Sequence, residues 1–161
     1  MRTALIPGSF DPVTVGHLDI IKRACLIFDN VTVLVANNEQ KSYLLSDEAR
    51  FSLVKDALKN IKNASVDIYD GLLVDYVAQN GQPTIVKGVR NVEDFLYEQN
   101  MALFNSELSM RKYNFLVETM FLTSDIKYAQ TSSSLVRVLI QNNADFKELV
   151  PNYELLLSYL K

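Results

Sequence analysis

The stretch Ala4-Leu5-Ile6-Pro7-Gly8-Ser9-Phe10-Asp11-Pro12-Val13-Thr14-Val15-Gly16-His17 decides the fold. Its first three residues are a short apolar run of the kind that fills a buried strand. After Gly16 the pattern turns helical, with Leu18, Ile21, Cys25 and Phe28 recurring on one face while Lys22 and Arg23 face water. The residues between form a strand-to-helix loop. Gly8 lets the backbone come close to a ligand, Ser9 offers a hydroxyl, Pro12 stiffens the turn, and Gly16 leaves room beside the first helical turn. His17 stands at the helix N-terminus, where free N–H groups and the positive end of the dipole favour an anion and an imidazole can donate to a phosphate oxygen. The same residues also suit a plain Gly/Pro-rich turn with a structural histidine.

Outward from this loop, apolar runs rich in β-branched residues recur at 31–36, 66–69, 84–86 and 116–122, each reading as a buried strand. Helical patterns lie at about 16–28, 46–60, 72–80, 92–110 and 132–141. Strands alternating with helices imply βαβ units with right-handed crossovers. The expected fold is therefore α/β: a Rossmann-like open parallel five-stranded sheet with helices on both faces. One domain is expected over residues 1–161, with a helical tail from about residue 143 whose Phe146, Leu149, Val150, Tyr153 and leucines 155–157 pack back on it. Ligands of such sheets sit beyond the carboxyl ends of the strands, near the point where strand order reverses.

Composition narrows the chemistry. With 48% hydrophobic and 22% charged residues, 5 Gly and 4 Pro, the chain falls outside the disordered, collagen-like and low-complexity classes. One cysteine excludes an intrachain disulfide, and one histidine excludes a multi-His or Cys/His zinc cluster. Sixteen Lys+Arg against nineteen Asp+Glu leave a net charge of -3, which gives no global pull toward nucleic acid or an anionic membrane, so an anion must be captured locally. No apolar run reaches the roughly 18 residues of a membrane span, and a cytoplasmic protein is expected.

The later loops repeat the theme. Asn37-Asn38-Glu39-Gln40-Lys41 follows the second strand, and Ser46 is placed to cap the next helix, with Asp47 and Glu48 in its first turn. Asp70-Gly71-Leu72-Leu73 follows the third. The fourth ends in Lys87-Gly88-Val89-Arg90, where two cations flank a glycine, an arrangement suited to phosphate. Arg90, Asp94 and Glu98 lie four apart, so an exposed ion-pair row is the ordinary alternative. Tyr128-Ala129-Gln130-Thr131-Ser132-Ser133-Ser134-Leu135-Val136-Arg137 follows the last strand, and its hydroxyls can cap a helix or face a polyphosphate.

Together these blocks resemble the nucleotidylyltransferase superfamily, whose [HT]-x-G-H is matched by Thr14-Val15-Gly16-His17. The run from Pro7 to Pro12 is similar to the P-G-[ST]-F-D-P of bacterial phosphopantetheine adenylyltransferases. Their R-G-[LV]-R and D-[FY]-x-Y-E are matched by Lys87 to Arg90 and Asp94 to Glu98, with Lys87 in place of the usual arginine. The superfamily's I-S-S-[ST]-x-x-[RK] is matched from Thr131, which replaces isoleucine, to Arg137; Tyr128 replaces a common tryptophan. The resemblance runs from Thr3 to about Leu160, five blocks in order, each at a strand-to-helix junction.

That resemblance implies a nucleotidylyltransferase fold and transfer of AMP from ATP to 4'-phosphopantetheine, giving dephospho-coenzyme A and pyrophosphate. It assigns Ser9 and Lys41 to the attacking phosphate, Leu73 to the pantetheine arm, Lys87 to the acceptor, and His17 to the charge developing on the α-phosphate. It assigns ATP to Ser9, Phe10, His17, Gly88, Val89, Arg90 and Glu98, and to Tyr128, Ala129, Gln130, Thr131, Ser132, Ser133 and Ser134. Mg2+ is expected on the ATP phosphates rather than on protein side chains. A homohexamer, coenzyme A as a feedback ligand, and no nucleic-acid or membrane partner are implied as well. Two alternatives stay open: a relative acting on nicotinamide mononucleotide or a phospho-alcohol, where His often stands at the position of Thr14, and a nucleotide-binding sensor that makes no product.

Overall fold

Strand β1 (Thr3–Gly8) takes the centre of a five-stranded parallel sheet. The computed structural model describes residues 1–37, 42–81 and 83–160. From β1 the chain passes through α1 (Val15–Ile27), β2 (Asn30–Ala36), α2 (Asp47–Leu58), β3 (Ala64–Tyr69) and α3 (Leu73–Gln79). It then returns to the other side of β1 as β4 (Thr84–Val89), α4 (Val92–Tyr113) and β5 (Thr119–Thr123), and ends in α5 (Ser133–Gln141) and α6 (Tyr153–Tyr159). The strand order is β3-β2-β1-β4-β5, so the winding reverses between β1 and β4.

Strand alternation divides the core into two layers. Ala4 and Ile6 of β1, Val31, Val33 and Val35 of β2, and Val86 of β4 bury toward Ile20, Ile21 and Ala24 of α1 and Leu53 and Val54 of α2. Phe146, Val150 and Leu156 of the tail close this layer, and the Asn152 side-chain N–H donates to the Leu53 carbonyl at 2.7 Å. The opposite parity, Leu5, Leu34 and Ile85, packs with Tyr76, Val77 and Val117. Helices thus cover both faces, as the continuous apolar runs of the inner strands require.

Local signals set most helix ends. Ser46 caps α2 by accepting from Ala49 N–H at 3.2 Å, and Asn91 caps α4 by accepting from Asp94 N–H at 2.8 Å. Asn114 closes α4 in the left-handed region at φ 56°, and the helix runs three residues beyond its expected end at 110. Two expectations need correction. β3 is half exposed rather than buried, because it is an edge strand with one neighbour, and β5 begins at Thr119 rather than residue 116. On α1, Ile20, Ile21 and Ala24 are the buried positions, while Leu18 and Cys25 pack only at the layer's margin.

Candidate active site

The two sides of β1 differ in how long they pair. With β2 the register runs over six pairs, Thr3↔Asn30 to Gly8↔Val35; with β4 it covers only Ala4↔Thr84 and Leu5↔Ile85. Pro7 brings no N–H to a ladder, and past Leu5 the strands part. The gap opens into a cleft of about 540 Å3 at the carboxyl ends of β1 and β4, the place an open α/β sheet offers a ligand. Gly88 belongs to this parting, since a Cβ there would lie 2.8 Å from Ile20 of α1, which packs against the bare strand.

Among the expected residues, Ser9, Phe10 and His17 line the cleft from the first loop, Lys87, Gly88, Arg90 and Glu98 from the β4 side, and Thr131, Ser132, Ser133 and Ser134 from the start of α5. Leu73, Val89, Tyr128, Ala129 and Gln130 lie outside this lining. Leu73 packs at the margin of the second core layer and Val89 is buried. Lys41 falls outside the described residues. Gly8 and Gly16 both line the cleft as well. A Cβ on Gly8 would meet the Phe10 ring at 3.0 Å, so its bareness makes room for that ring, whose own backbone sits at φ 49°. A Cβ on Gly16 would meet nothing closer than 3.7 Å, so no protein atom demands glycine there.

His17 is the third residue of α1, and Thr14 is the cap. The Thr14 hydroxyl accepts from His17 N–H at 3.3 Å, while Thr14 N–H donates to His17 Nδ1 at 3.1 Å. This reciprocal cap fixes the ring. A nitrogen that accepts an N–H carries no proton, so the neutral ring is the Nε2–H tautomer. Phe10 meets the imidazole edge-on with centroids 5.1 Å apart. Burial, then the positive charges of Arg90 and Lys87, lower the His17 pKa from 6.5 to about 4. Near neutral pH it is a neutral donor.

The cations of the cleft are held by acids. Lys87 Nζ lies 3.1 Å from Glu98 Oε2 and 3.5 Å from the Pro7 carbonyl, spanning the gap between β4 and β1. Arg90 grips Asp94 with Nε and Nη2 at 2.7 and 3.1 Å. The row of Arg90, Asp94 and Glu98 is therefore broken: Arg90 precedes α4, and Glu98 turns to Lys87. At α5 the hydroxyls divide their duties. Ser132 accepts from Leu135 N–H at 3.1 Å as the helix cap, Ser133 donates to the Pro12 carbonyl at 2.8 Å, and Ser134 accepts from Arg137 at 3.1 Å.

Arg137, which closes the Ser-rich motif but is given no role by it, lines the cleft and donates to the Asp11 carbonyl at 2.7 Å. Sequence patterns alone pass over Asp11, whose buried carboxylate accepts from Leu44 and Leu45 N–H, and Arg50 behind the first loop. No three His, Cys, Asp or Glu side chains among the described residues are grouped to hold a metal ion. No helix among them is long and apolar enough to cross a membrane.

A fold with its cleft at the switch point and a phosphate-suited lining defines a nucleotide-using class, and residues 5–139 match the cytidylyltransferase-like family. The chain is a nucleotidyltransferase. It is 47% identical to the phosphopantetheine adenylyltransferase of Caldanaerobacter subterraneus subsp. tengcongensis, over 94% of this chain and 92% of that one. It is also 47% identical to the phosphopantetheine adenylyltransferase of Borrelia hermsii, over 94% and 90%, and 46% identical to that of Symbiobacterium thermophilum, over 95% and 91%. The chain belongs to the phosphopantetheine adenylyltransferase family. A solved structure titled as a putative nicotinate-nucleotide adenylyltransferase from Vibrio parahaemolyticus shares the fold, with a TM-score of 0.67 over 100% of this chain and 97% of that one at 19% identity.

Proposed function

We propose that the chain transfers AMP from ATP to 4'-phosphopantetheine, releasing pyrophosphate and dephospho-coenzyme A, in the cleft between β1 and β4. The family carries the reaction, and His17 is the observation that carries its chemistry. A phosphate monoester has its second pKa near 6, so the acceptor is already largely a dianion at neutral pH and needs no general base. What the reaction needs is alignment and stabilisation of charge on the α-phosphate. An imidazole kept neutral, with Nδ1 taken by Thr14 N–H, supplies an aimed Nε2–H donor and no base.

In this reading an oxygen of the acceptor phosphate attacks the α-phosphorus, the bond from that phosphorus to the β-phosphate bridging oxygen breaks, and pyrophosphate leaves. Ser9, Lys41 and Lys87 hold the acceptor, with Leu73 toward the pantetheine arm. Arg90, Glu98 and the hydroxyls of Ser132, Ser133 and Ser134 hold ATP, with Phe10, Gly88 and Val89 and residues Tyr128, Ala129, Gln130 and Thr131 around it. Mg2+ enters as part of the substrate, on the ATP phosphates. The donor set supports this, because Asp94, Glu98 and Asp11 are each already engaged by cations or backbone N–H groups.

We extend the proposal to a cytoplasmic homohexamer, with coenzyme A, which carries the same pantetheine arm, as a feedback ligand. Support for self-association comes from α4, where Val92, Leu96, Leu103 and Phe104 stand in the open at 72%, 52%, 64% and 53% exposure. Sedimentation giving a monomer at micromolar concentration would contradict the hexamer. For the reaction, the test is pyrophosphate release from ATP with phosphopantetheine, nicotinamide mononucleotide and a phospho-alcohol in parallel. Release with phosphopantetheine alone is expected; release only with another acceptor, or none at all, overturns the reading.

A further inference from the structure

Arg50 lies in the first turns of α2, where an arginine ordinarily keeps its charge in water, yet its side chain is 0% exposed. One Nη donates to the Ser9 carbonyl at 2.8 Å; the other donates to the Asn37 side-chain oxygen and to the Asp47 carboxylate at 2.6 Å. The guanidinium carbon sits 4.1 Å from the centre of the Tyr43 ring. Nε finds no partner among the described residues. A buried charge with one donor unmet is a poor device for stability, since an apolar side chain of similar volume serves the core as well or better. Three of its four contacts, with Ser9, Asn37 and Tyr43, reach outside α2 and tie separate stretches around the cleft together.

Asp11, only 1% exposed, works from the other side. Its carboxylate accepts from Leu44 N–H at 2.8 Å and Leu45 N–H at 3.0 Å. Asn37 after β2 and residues 43–45 before α2 are thus tied to the loop after β1. Asn37 is held through Arg50, and Tyr43 to Leu45 are held through Arg50 and Asp11. Ser42, Tyr43, Ser9 and Asp11 all line the cleft.

We propose that Arg50 is a positioning residue which, together with Asp11, holds residues 42–45 and the Ser9 loop in one register so that both meet the acceptor phosphate at once. This rests on the reading of 4'-phosphopantetheine as acceptor. Ser9 is assigned to both substrates, but ATP keeps Arg90, Glu98 and the α5 hydroxyls, none of which bonds Arg50, so the defect from loosening it falls more heavily on the acceptor than on ATP.

Arg50→Lys keeps the charge but loses the planar fork and the stacked face. Hydrogen–deuterium exchange of the unliganded protein reads the register directly. In Arg50→Lys, amides 44 and 45 are expected to exchange about tenfold faster while those of β2 keep their protection. Kinetics read the consequence: KM for phosphopantetheine rises about tenfold, the loss of one charge-assisted hydrogen bond, and KM for ATP stays within about twofold. Should Arg50→Lys fail to fold, Tyr43→Leu removes the aromatic face beneath the guanidinium and carries both measurements, with smaller changes in the same direction. Unchanged exchange at 44 and 45, or equal rises in both KM values, overturns the inference. A wild-type protein that uses a different acceptor overturns the functional reading instead, and the exchange result still decides the role of Arg50.

Discussion

The two walls of the cleft are built by different physics. On the β1 side His17 is aimed by backbone: Thr14 N–H holds Nδ1, the Thr14 hydroxyl holds His17 N–H, and Phe10 closes over the ring. On the β4 side Lys87 and Arg90 are held by carboxylates of α4, at partly exposed ion pairs of 3.1 and 2.7 Å. A ring pinned by main chain has one orientation and one protonation state. An ammonium paired with a carboxylate can trade that partner for a phosphate, because one anion replaces another beside the same charge. In the proposed reaction, the wall that places a donor on the reacting atom is rigid, and the wall that gathers an anion is charged and adaptable.

The contrast is broken most directly at His17. His17→Ala is expected to lower kcat by about two to three powers of ten, the loss typical of one transition-state donor, with both KM values nearly unchanged. Equal losses in binding and turnover would place His17 with the gathering wall instead.

Titration tests the same rigidity. The folded pKa of His17, about 4, lies below its ordinary value of 6.5, so between these values the unfolded chain takes up a proton that the folded chain does not. Stability from this group is full above pH 6.5 and is lost as pH falls toward 4, by about 3 kcal/mol for a shift of this size. His17→Gln keeps a side chain able to complete the reciprocal cap but cannot titrate. Denaturant unfolding between pH 7.5 and 4.5 should show a steeper loss for the wild type than for His17→Gln; parallel curves would mean that the ring is not held neutral.

On the β4 wall, Lys87→Ala should weaken phosphopantetheine binding by about 1.5–3 kcal/mol, the range for a hydrogen bond to a charged group, and it also leaves Glu98 facing the acceptor unpaired. Lys87→Arg should preserve or improve binding, since a guanidinium adds a planar two-donor fork. Titration calorimetry of both variants decides. An unaffected alanine variant would reduce Lys87 to a strand-end partner of Glu98. The smallest effect is expected at Gly16. Because a Cβ there meets only ordinary contacts, Gly16→Ala should change stability by no more than about 1 kcal/mol. A several-fold rise in KM for ATP beside an unchanged melting temperature would show that the space serves the substrate.

Much of the fold and of the cleft is legible in the chain itself. Alternating apolar runs and helical stretches announce a parallel α/β sheet, and Ser46 at the head of α2 and the Thr14 to His17 block at the head of α1 mark their own helix starts. Most of the residues singled out from the loops do line one cleft. Others escape it for reasons the chain cannot display. Arg50 shares the stripe of Leu53 and Val54 but reads as solvated by its charge, β3 looks buried until its missing neighbour is known, and spacing groups Glu98 with Arg90 although it pairs with Lys87.

By itself the sequence determined what lies within a turn or two of the chain: periodicity, caps, and which loops carry hydroxyls, glycines and cations. These depend on contacts between residues at most a few positions apart, and such contacts form the same way wherever the segment sits. The tertiary structure alone decided where β1 and β4 part, that Lys87 reaches the Pro7 carbonyl 80 positions away, and that Arg137 grips the Asp11 backbone across 126. It also decided the protonation of His17, since burial and the charges of Arg90 and Lys87 exist only once distant segments have packed together.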